Sequence, residues 1–556
     1  MSSSSYDFIV VGGGLAGCTV AARLQQNLPS ASVLIIEAGD DETNHPLATK
    51  PLAGIKLQKS PLDWNLRTVP QSNLDGQPRY QAAGKALSGG TVINYATWTR
   101  GAKVDYDNWG KVVGDDRWSY DQLEPYFPKS ETRSANEETL PESHGRAGVI
   151  YTATVAESHP HRKYPLREPV KKAWENTGIA YNAHPNGGNP LGLSERVENW
   201  NQGKRQFTHR IYHLATEHAR LKTRATKILV TEHDGEKVVT GVEVQSGETI
   251  FARKEVILSC GAYHSPQLLL LSGIGPAADL QELGISLVVD SPEVGHNFYD
   301  HLAVPLIWKL KNREHDLPPM MLAKDPVLGL GFPSDWVVFA GLDSEKINQA
   351  LAKDNQDKDG SEVSKSLLDP RNCFTETLNF YVPAGAEIAE MKDIPMDGSF
   401  ISSPVLGMLP TSRGRISLAS KDPFTPPKID PNYYATELDR VVIRNGVREA
   451  LRVYQSDVLK DIIETETPPE GFAPLHAAST DEEIDARVAR VGITFFHPAG
   501  SCAMGKVVDT ELRAYGLKGL RVVDASVLPT PIAAHLQVPV YALAERAASF
   551  IIQEHR

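Results

Sequence analysis

The sequence predicts an α/β chain of more than one domain, and its first forty residues carry the strongest evidence for that fold class. An apolar run, Phe8–Val11, leads into the glycine-rich turn Gly12–Gly17, and apolar residues then recur at helical spacing as far as Leu28. A second apolar stretch, Val33–Ile36, ends in Glu37. This order is that of a Rossmann-like βαβ unit. The length of 556 residues exceeds what one compact core usually holds.

Each glycine of this turn has a separate predicted role. Gly12 permits the sharp turn, Gly14 lets the backbone approach a pyrophosphate, and Gly17 lets the helix pack closely on the strand. The helix N-terminus then faces the phosphate charge, and Glu37 is placed to accept hydrogen bonds from a ribose. The turn therefore predicts a dinucleotide site and leaves nicotinamide and flavin cofactors both open.

Two further blocks of the sequence contain turns that could lie against a cofactor. Gly84–Asn94 is rich in glycine and small residues, so it can pass close to a bulky cofactor. Val256–Ser259 is typical of a strand, and after a short turn Gln267–Leu271 is typical of an apolar helix. Residues 311–370 differ in character, and we expect them to form a surface excursion that serves as a lid.

Composition and charge exclude several classes of protein. The net charge is −12 and the basic residues are scattered, so we expect no nucleic-acid partner. The N-terminus lacks the basic and apolar regions of a secretory signal, and no apolar run has the length of a membrane span. These features favour an intracellular, cytoplasmic protein without a membrane partner. They do not indicate an oligomeric state.

No metal site is expected. The four cysteines are far apart and form no C-x-x-C pair, so we interpret them as reduced thiols. The acidic stretch 354–360 begins like a calcium-binding loop, but Ser366 stands where the bidentate Glu is required. His159 and His161 flank a proline and have no acidic residues nearby. We therefore interpret the acidic stretch as a solvated loop.

Read together, the blocks resemble the signatures of the glucose–methanol–choline family of FAD-dependent oxidoreductases. Gly84–Asn94, with its continuation to Trp109, resembles the first signature, although Lys85 replaces the usual Arg and Ser88 replaces the first Gly of a pair. Gly261–Gly275 resembles the second signature closely. Three further segments match family patterns in the same order: Val294–His301, Ser412–Gly414 and Ile429–Tyr433.

The resemblance implies a Rossmann-like FAD-binding domain interleaved with a substrate domain built on an antiparallel sheet. It assigns residues 1–153, 206–300 and 488–556 to the first domain. Residues 154–205 and 301–487 fall in the second domain, which includes the expected lid at 311–370.

The resemblance also implies FAD as the cofactor. Some relatives attach the flavin to a histidine at the position of Ile93, so we expect non-covalent FAD here. The residues that the resemblance carries over as cofactor contacts are Gly12, Gly14, Gly17 and Glu37 at the ADP half, Gly90, Asn94, Tyr95, Ala96 and Thr97 along the pyrophosphate and flavin ring, Asp524 and Ala525 near the ribityl chain, and Gln537.

Two histidines match the family's active-site positions, His497 and His535. Oxidation of an alcohol by a flavin needs a base for the hydroxyl proton while hydride leaves carbon, and neutral imidazole suits that task near neutral pH. We expect His497 to be the general base and His535 to bind the substrate oxygen. A protonated histidine would also stabilise charge on dioxygen or another electron acceptor.

The substrate and the reaction class keep alternatives open. Trp98 and Phe496 favour aromatic surface near the flavin, and hence an aryl or other unsaturated primary alcohol. The alternative function is that of a lyase or cyclase that uses FAD structurally. The sequence does not separate an oxidase from a dehydrogenase.

Overall fold

A computed structural model describes residues 4–134, 141, 143–311, 325–355 and 362–556. Two seven-stranded sheets organise this part of the chain. Each sheet lies in its own large cluster of buried apolar side chains.

The strands, in chain order, are β1 Ser4–Val11, β2 Val33–Ile36, β3 Leu66–Arg67, β4 Tyr80–Gln81, β5 Glu131–Arg133, β6 Ile150–Thr154, β7 Gly192–Glu195, β8 Val197–Glu198, β9 Ala219–Arg220, β10 Ala225–His233, β11 Glu236–Val244, β12 Thr249–Leu258, β13 Ile274–Gly275, β14 Val289–Asp290, β15 Leu302–Leu310, β16 Ser334–Ala340, β17 Thr375–Phe380, β18 Phe400–Gly407, β19 Arg415–Ser417, β20 Lys428–Asp430, β21 Ile463–Glu466, β22 Ile493–Thr494 and β23 Leu520–Val522.

The α-helices are α1 Leu15–Asn27, α2 Gly90–Ile93, α3 Lys103–Val113, α4 Tyr120–Leu123, α5 Tyr126–Ser130, α6 Val155–Ser158, α7 Arg167–Glu175, α8 Thr208–Ile211, α9 Gly261–Leu271, α10 Ala277–Glu282, α11 Ser344–Lys353, α12 Glu362–Ser366, α13 Glu437–Tyr454, α14 Asp481–Val491 and α15 Gln537–His555. Short 3-10 turns occupy Leu52–Leu57, Asp116–Trp118, Thr216–His218, Pro326–Gly329 and Ala525–Val527. Across the described ranges, we find no helix with the length and apolar character that a membrane span requires.

The first sheet confirms the predicted Rossmann-like unit. Its order is β10-β11-β12-β1-β2-β9, and β23 pairs with β12. Strands β1, β2, β12 and β23 run parallel, whereas β10, β11 and the start of β12 pair antiparallel. β1, β2 and the connecting helix α1 are apolar on the sides that meet, so the βαβ unit is buried around the glycine turn.

The second sheet is antiparallel throughout, as predicted. Its order is β21-β15-β18-β17-β16-β7, and β22 pairs with β15. The domain boundaries remain a prediction. Strands β7, β15 to β18 and β21 fall within the segments assigned to the second domain, but β22 belongs to this sheet although the prediction placed it in the first domain.

Strand β16 contradicts the expectation that the whole of residues 311–370 forms a surface lid. Ser334–Ala340 is a fully buried strand that pairs with β17 on one side and β7 on the other, because its run of Trp, Val and Phe side chains needs a sheet interior. Residues 312–324 and most of the acidic stretch 354–360 lie outside the described residues.

Helix α9 begins earlier than its sequence pattern predicts. It starts at Gly261 and contains Pro266, which has no N–H to donate to the carbonyl of Ala262 four residues back. The Ser501 hydroxyl donates to that carbonyl instead, at 2.6 Å. The Ser501 hydroxyl, from a distant segment, thus replaces the missing donor and allows a proline within the helix. The helix can therefore begin at Gly261, close to the end of β1.

Candidate functional site

A cavity of about 360 Å³ is lined by residues associated with both sheets. Val11 and Ile36 contribute from the ends of β1 and β2, and Phe380 contributes from the end of β17. The loop Phe495–Pro498 and the segment His535–Gln537 complete the wall. The cavity therefore joins the predicted dinucleotide turn to the two predicted catalytic histidines.

The glycine turn has the geometry that its sequence predicts. Gly12 has φ +98°, and a Cβ there would lie 2.4 Å from the Ser259 carbonyl oxygen. At Gly17 a Cβ would lie 2.0 Å from the Gly12 oxygen, so this glycine serves helix packing and does not line the cavity. Gly14 does line it, and a Cβ there would be 3.8 Å from the nearest protein atom. The close packing explains why glycine is needed at Gly12 and Gly17, and contact of Gly14 with a pyrophosphate remains a prediction.

Three helices of more than four residues begin at the cavity wall. Helices α1, α9 and α15 start at Leu15, Gly261 and Gln537, and all three residues line the cavity. The N-cap residues of these helices make no side-chain cap, so first-turn N–H groups remain available to a ligand, except that of Gly261, which donates to Asp524. Because a helix N-terminus carries partial positive charge, this arrangement suits a diphosphate.

Two buried carboxylates hold the backbone around this end of the cavity. Glu37 accepts hydrogen bonds from the Gly13 and Gly39 amides at 2.8 and 2.7 Å, and burial raises its pKa to about 7. Asp524 accepts from the Gly261 amide at 2.9 Å and from the Ser265 hydroxyl at 2.6 Å. Burial also raises the pKa of Asp524. Both residues line the cavity and fix the turns whose amides face it.

The second glycine block lies against the first glycine turn and forms a further part of the wall. At Gly90 an added Cβ would meet no protein atom within 4 Å. The Gln537 amide donates to the Thr97 carbonyl at 2.5 Å, and Arg205 donates to the Asn94 side-chain oxygen at 2.8 Å. Of the predicted cofactor contacts, those that line the cavity are Gly12, Gly14, Glu37, Gly90, Asn94, Tyr95, Ala96, Thr97, Asp524, Ala525 and Gln537.

His497 and His535 face each other in the cavity, with ring centroids 4.8 Å apart and planes at 69°. The Nε2 atom of His535 lies 2.8 Å from Glu376 Oε1, so this nitrogen donates to the carboxylate. Thr99 accepts a hydrogen bond from the His535 backbone amide at 2.7 Å. The contact with Glu376 leaves Nδ1 as the His535 nitrogen available to a ligand.

His497 is held as a neutral imidazole. Burial lowers its pKa well below 6.5, and the neighbouring His535 and His301 lower it further. Its Nδ1 lies 2.9 Å from Nδ1 of His301. Within the described ranges, no protein group hydrogen-bonds to His497 Nε2. A neutral ring with a free nitrogen at the cavity wall has the chemistry of a general base.

Asp300 fixes the backbone that carries His497. Its carboxylate accepts from the His497 amide at 2.8 Å, from the Thr494 hydroxyl at 2.5 Å and from the Tyr433 hydroxyl. Asp300 is 2 % exposed, and burial raises its pKa to about 6. Three donors on one buried carboxylate give the loop a single position.

We expect Asp300→Ala to impair both stability and catalysis. The change leaves the three donors around Asp300 without their acceptor, which should cost about 2–4 kcal/mol of unfolding free energy. Displacement of the loop should slow reduction of the bound cofactor about 10- to 100-fold. Thermal unfolding and stopped-flow reduction measure the two effects. Asp335→Ala removes another buried aspartate, which binds Tyr381, and should affect stability alone; an equal loss of rate in that control would contradict the role of Asp300.

Several site residues could not be found from the sequence. Glu376 lies on β17, where Glu376, Leu378 and Phe380 share one face because side chains alternate along a strand. The one local sign of a functional role for Glu376 is that a charged residue stands inside this buried strand. His301 follows Asp300 in a segment that the sequence analysis used only as a family match.

The aromatic wall differs in part from expectation. Phe496 lines the cavity as expected, but Trp98 is buried beside Tyr541, with centroids 6.0 Å apart, and does not line it. Phe495 and Phe380 line the cavity instead. The Phe495 ring meets His497 and His535 edge-on, at 5.5 and 5.6 Å. The sequence did not predict these contacts, because apolar residues in a strand or loop are equally typical of a buried core and of a cavity wall.

One cluster in the described ranges has spacing suited to a metal: Glu255, Glu554 and His555. The Arg521 guanidinium forms ion pairs with both carboxylates. The positive charge in the cluster is therefore supplied by an arginine, and the residues lie outside the cavity wall.

Comparison with known proteins gives consistent matches along the chain. The sequence model of the GMC oxidoreductase family matches residues 6–303 and 410–544. The GMC-type oxidoreductase acuG of Aspergillus aculeatus is 40% identical over 554 residues, covering 99% of this chain and 100% of its own length. Pyranose dehydrogenase 3 of Leucoagaricus meleagris is 31% identical, covering 100% and 94%. A solved structure of Aspergillus oryzae RIB40 formate oxidase, in which FAD modification was studied, superimposes with a TM-score of 0.87 at 30% identity, covering 100% and 99%.

Proposed function

Since the chain belongs to the GMC oxidoreductase family, we propose that it is an FAD-dependent oxidoreductase that converts an alcohol to a carbonyl. The observation that carries the proposal is the pair His497 and His535, which face each other at 4.8 Å in the cavity that also holds the dinucleotide turn. His497 is neutral with a free Nε2, and His535 is oriented by Glu376.

The lining of the cavity suits FAD, and we propose that the cofactor is held without a covalent link. Gly14 and Gly90 leave open space where side chains would intrude, the N-termini of α1 and α9 suit the diphosphate, and Glu37 can bind the adenosine ribose. Asn94 to Thr97 and Gln537 would follow the flavin half. Ile93 lines the wall where some relatives attach flavin, and its side chain forms no such bond. When bound, FAD supplies the acceptor for the hydride that leaves the alcohol carbon.

The two histidines would divide the work on the alcohol. His497 takes the hydroxyl proton at Nε2, so the O–H bond breaks as the N–H bond forms. Nδ1 of His535 lies free to contact the substrate oxygen, while Nε2 remains on Glu376. The phenylalanine wall excludes water and strengthens these polar contacts.

The aromatic lining of the cavity favours a flat, unsaturated primary alcohol over a sugar. Phe380, Phe495 and Phe496 line the cavity, and aromatic surface binds flat apolar groups well. The names of two relatives point to other substrates, pyranoses and formate. Dioxygen or another acceptor would then reoxidise the enzyme.

An anaerobic substrate panel tests this function. Mixing the FAD-loaded enzyme with an aryl alcohol, an allylic alcohol, a pyranose and formate should bleach the oxidised flavin fastest with the aryl or allylic alcohol. Bleaching by none of them, with an alcohol-derived product nonetheless formed, would overturn the redox function and favour the lyase or cyclase alternative. Parallel assays of peroxide release and dye reduction in air then separate an oxidase from a dehydrogenase.

A further inference from the structure

The contact between His301 and His497 admits two proton arrangements. Their Nδ1 atoms are 2.9 Å apart, so one ring must donate and the other accept. If His301 donates, neutral His497 carries its own proton at Nε2 and cannot take one from a substrate. If His497 donates, its Nε2 lone pair faces the cavity.

The surroundings of His301 distinguish these arrangements. The ring is 0 % exposed, and burial lowers its pKa to about 3, so it carries one N–H. The Met408 backbone carbonyl is an acceptor for that ring and raises its pKa, against the effect of burial. Nδ1 pairs with His497, so Nε2 is the nitrogen left for this carbonyl, although Nε2 makes no hydrogen bond of standard geometry with the described residues.

A proton on Nε2 of His301 is the arrangement that satisfies both nitrogens best. Nε2–H then points toward a carbonyl, and Nδ1 accepts from His497. With the proton on Nδ1 instead, Nε2 would be a bare lone pair beside a carbonyl oxygen, which repels it. Among the described residues, the His497 ring has no other hydrogen-bond partner: His535 and Phe495 meet it edge-on, and Asp300 binds only its backbone amide.

We infer that His301 is a positioning residue that holds His497 in the Nδ1–H tautomer, with the Nε2 lone pair directed into the cavity. His301 itself touches neither substrate nor cofactor, since it does not line the cavity. As His497 takes the substrate proton at Nε2, its Nδ1–H bond to His301 remains and stabilises the imidazolium. The catalytic consequence rests on the proposed function, but the tautomer does not.

A matched pair of variants isolates the accepting atom. Asn and Leu have nearly the same shape, and the Asn side-chain oxygen can occupy the position of His301 Nδ1. Both variants lose the same ring volume, but only His301→Asn keeps an acceptor for His497. We expect His301→Leu to slow anaerobic flavin reduction at least about tenfold and His301→Asn to stay within about threefold of the native enzyme. Equal losses in the two variants, or none in either, would overturn the inference.

The tautomer can be observed directly in the FAD-loaded enzyme. Two-bond ¹H–¹⁵N correlation spectra of protein labelled with ¹⁵N-histidine separate protonated from bare ring nitrogens, and the His497 signals are those lost in His497→Ala. We expect a bare Nε2 in the native enzyme and in His301→Asn, and a mixture of tautomers in His301→Leu. A protonated Nε2 in the neutral native ring would overturn the inference. Because this readout needs no substrate, it is independent of the alcohol panel, whose failure would overturn the proposed function alone.

Discussion

His497→Ala is expected to keep bound FAD and to lose about 100- to 1000-fold or more in the rate of flavin reduction by an alcohol. That range is the usual contribution of a general base. FAD retention follows from position, because the glycine turn, the helix N-termini and Glu37 lie at other parts of the cavity wall. The substitution removes the ring whose centroid lies 4.8 Å from that of His535. Stopped-flow measurement of flavin bleaching under anaerobic conditions gives the rate.

Two controls separate loss of the base from loss of structure. Chemical reduction of the flavin by dithionite should proceed as in the native enzyme, because it needs no proton acceptor for a substrate. His144→Ala removes another buried histidine, which binds Glu131 away from the cavity, and should leave the alcohol rate unchanged. A His497→Ala enzyme that is reduced by alcohol at the native rate would remove His497 from the mechanism.

The sequence predicts the local parts of this fold well. The turn Gly12–Gly17 and its two flanking strands appear where their pattern places them, because glycine geometry and apolar periodicity depend on neighbouring residues. The antiparallel second sheet followed only from the family resemblance. Its strand Ser334–Ala340 was mistaken for part of a lid, since a strand buried on both faces lacks the alternating pattern of a half-exposed one.

The candidate site, like the fold, was predictable only where its residues lie in local motifs. The sequence predicts His497 and His535 as site residues because each lies within a recognisable motif, and both line the cavity. Glu376 is 159 positions from His535 and His301 is 196 positions from His497, and nothing in the local sequence links either pair. Proton placement depends on such distant partners, so the sequence predicts a base and an oxygen-binding group but not the groups that set their tautomers.

Gly14→Val should give a folded protein that does not retain FAD. The backbone at Gly14 is extended, with φ −73° and ψ −170°, and an added Cβ would lie 3.8 Å from its nearest neighbour, the Ser259 oxygen. The protein thus leaves room for a Cβ, and the valine side chain would stand at the N-terminus of α1, where we propose that the diphosphate binds. We expect FAD affinity to fall at least about 100-fold, or about 2.7 kcal/mol. Titration of the apoprotein with FAD measures the affinity.

Gly341→Val is the matched control for this change, because a Cβ there would lie 3.6 Å from the Asn372 oxygen and Gly341 does not line the cavity. Both variants should unfold near the native temperature without FAD, but only Gly341→Val should be stabilised when FAD is added. Gly17→Ala should behave differently from both, since its Cβ would lie 2.0 Å from the Gly12 oxygen and disturb the fold itself. A Gly14→Val protein that binds FAD as tightly as the native chain would place the diphosphate away from this turn.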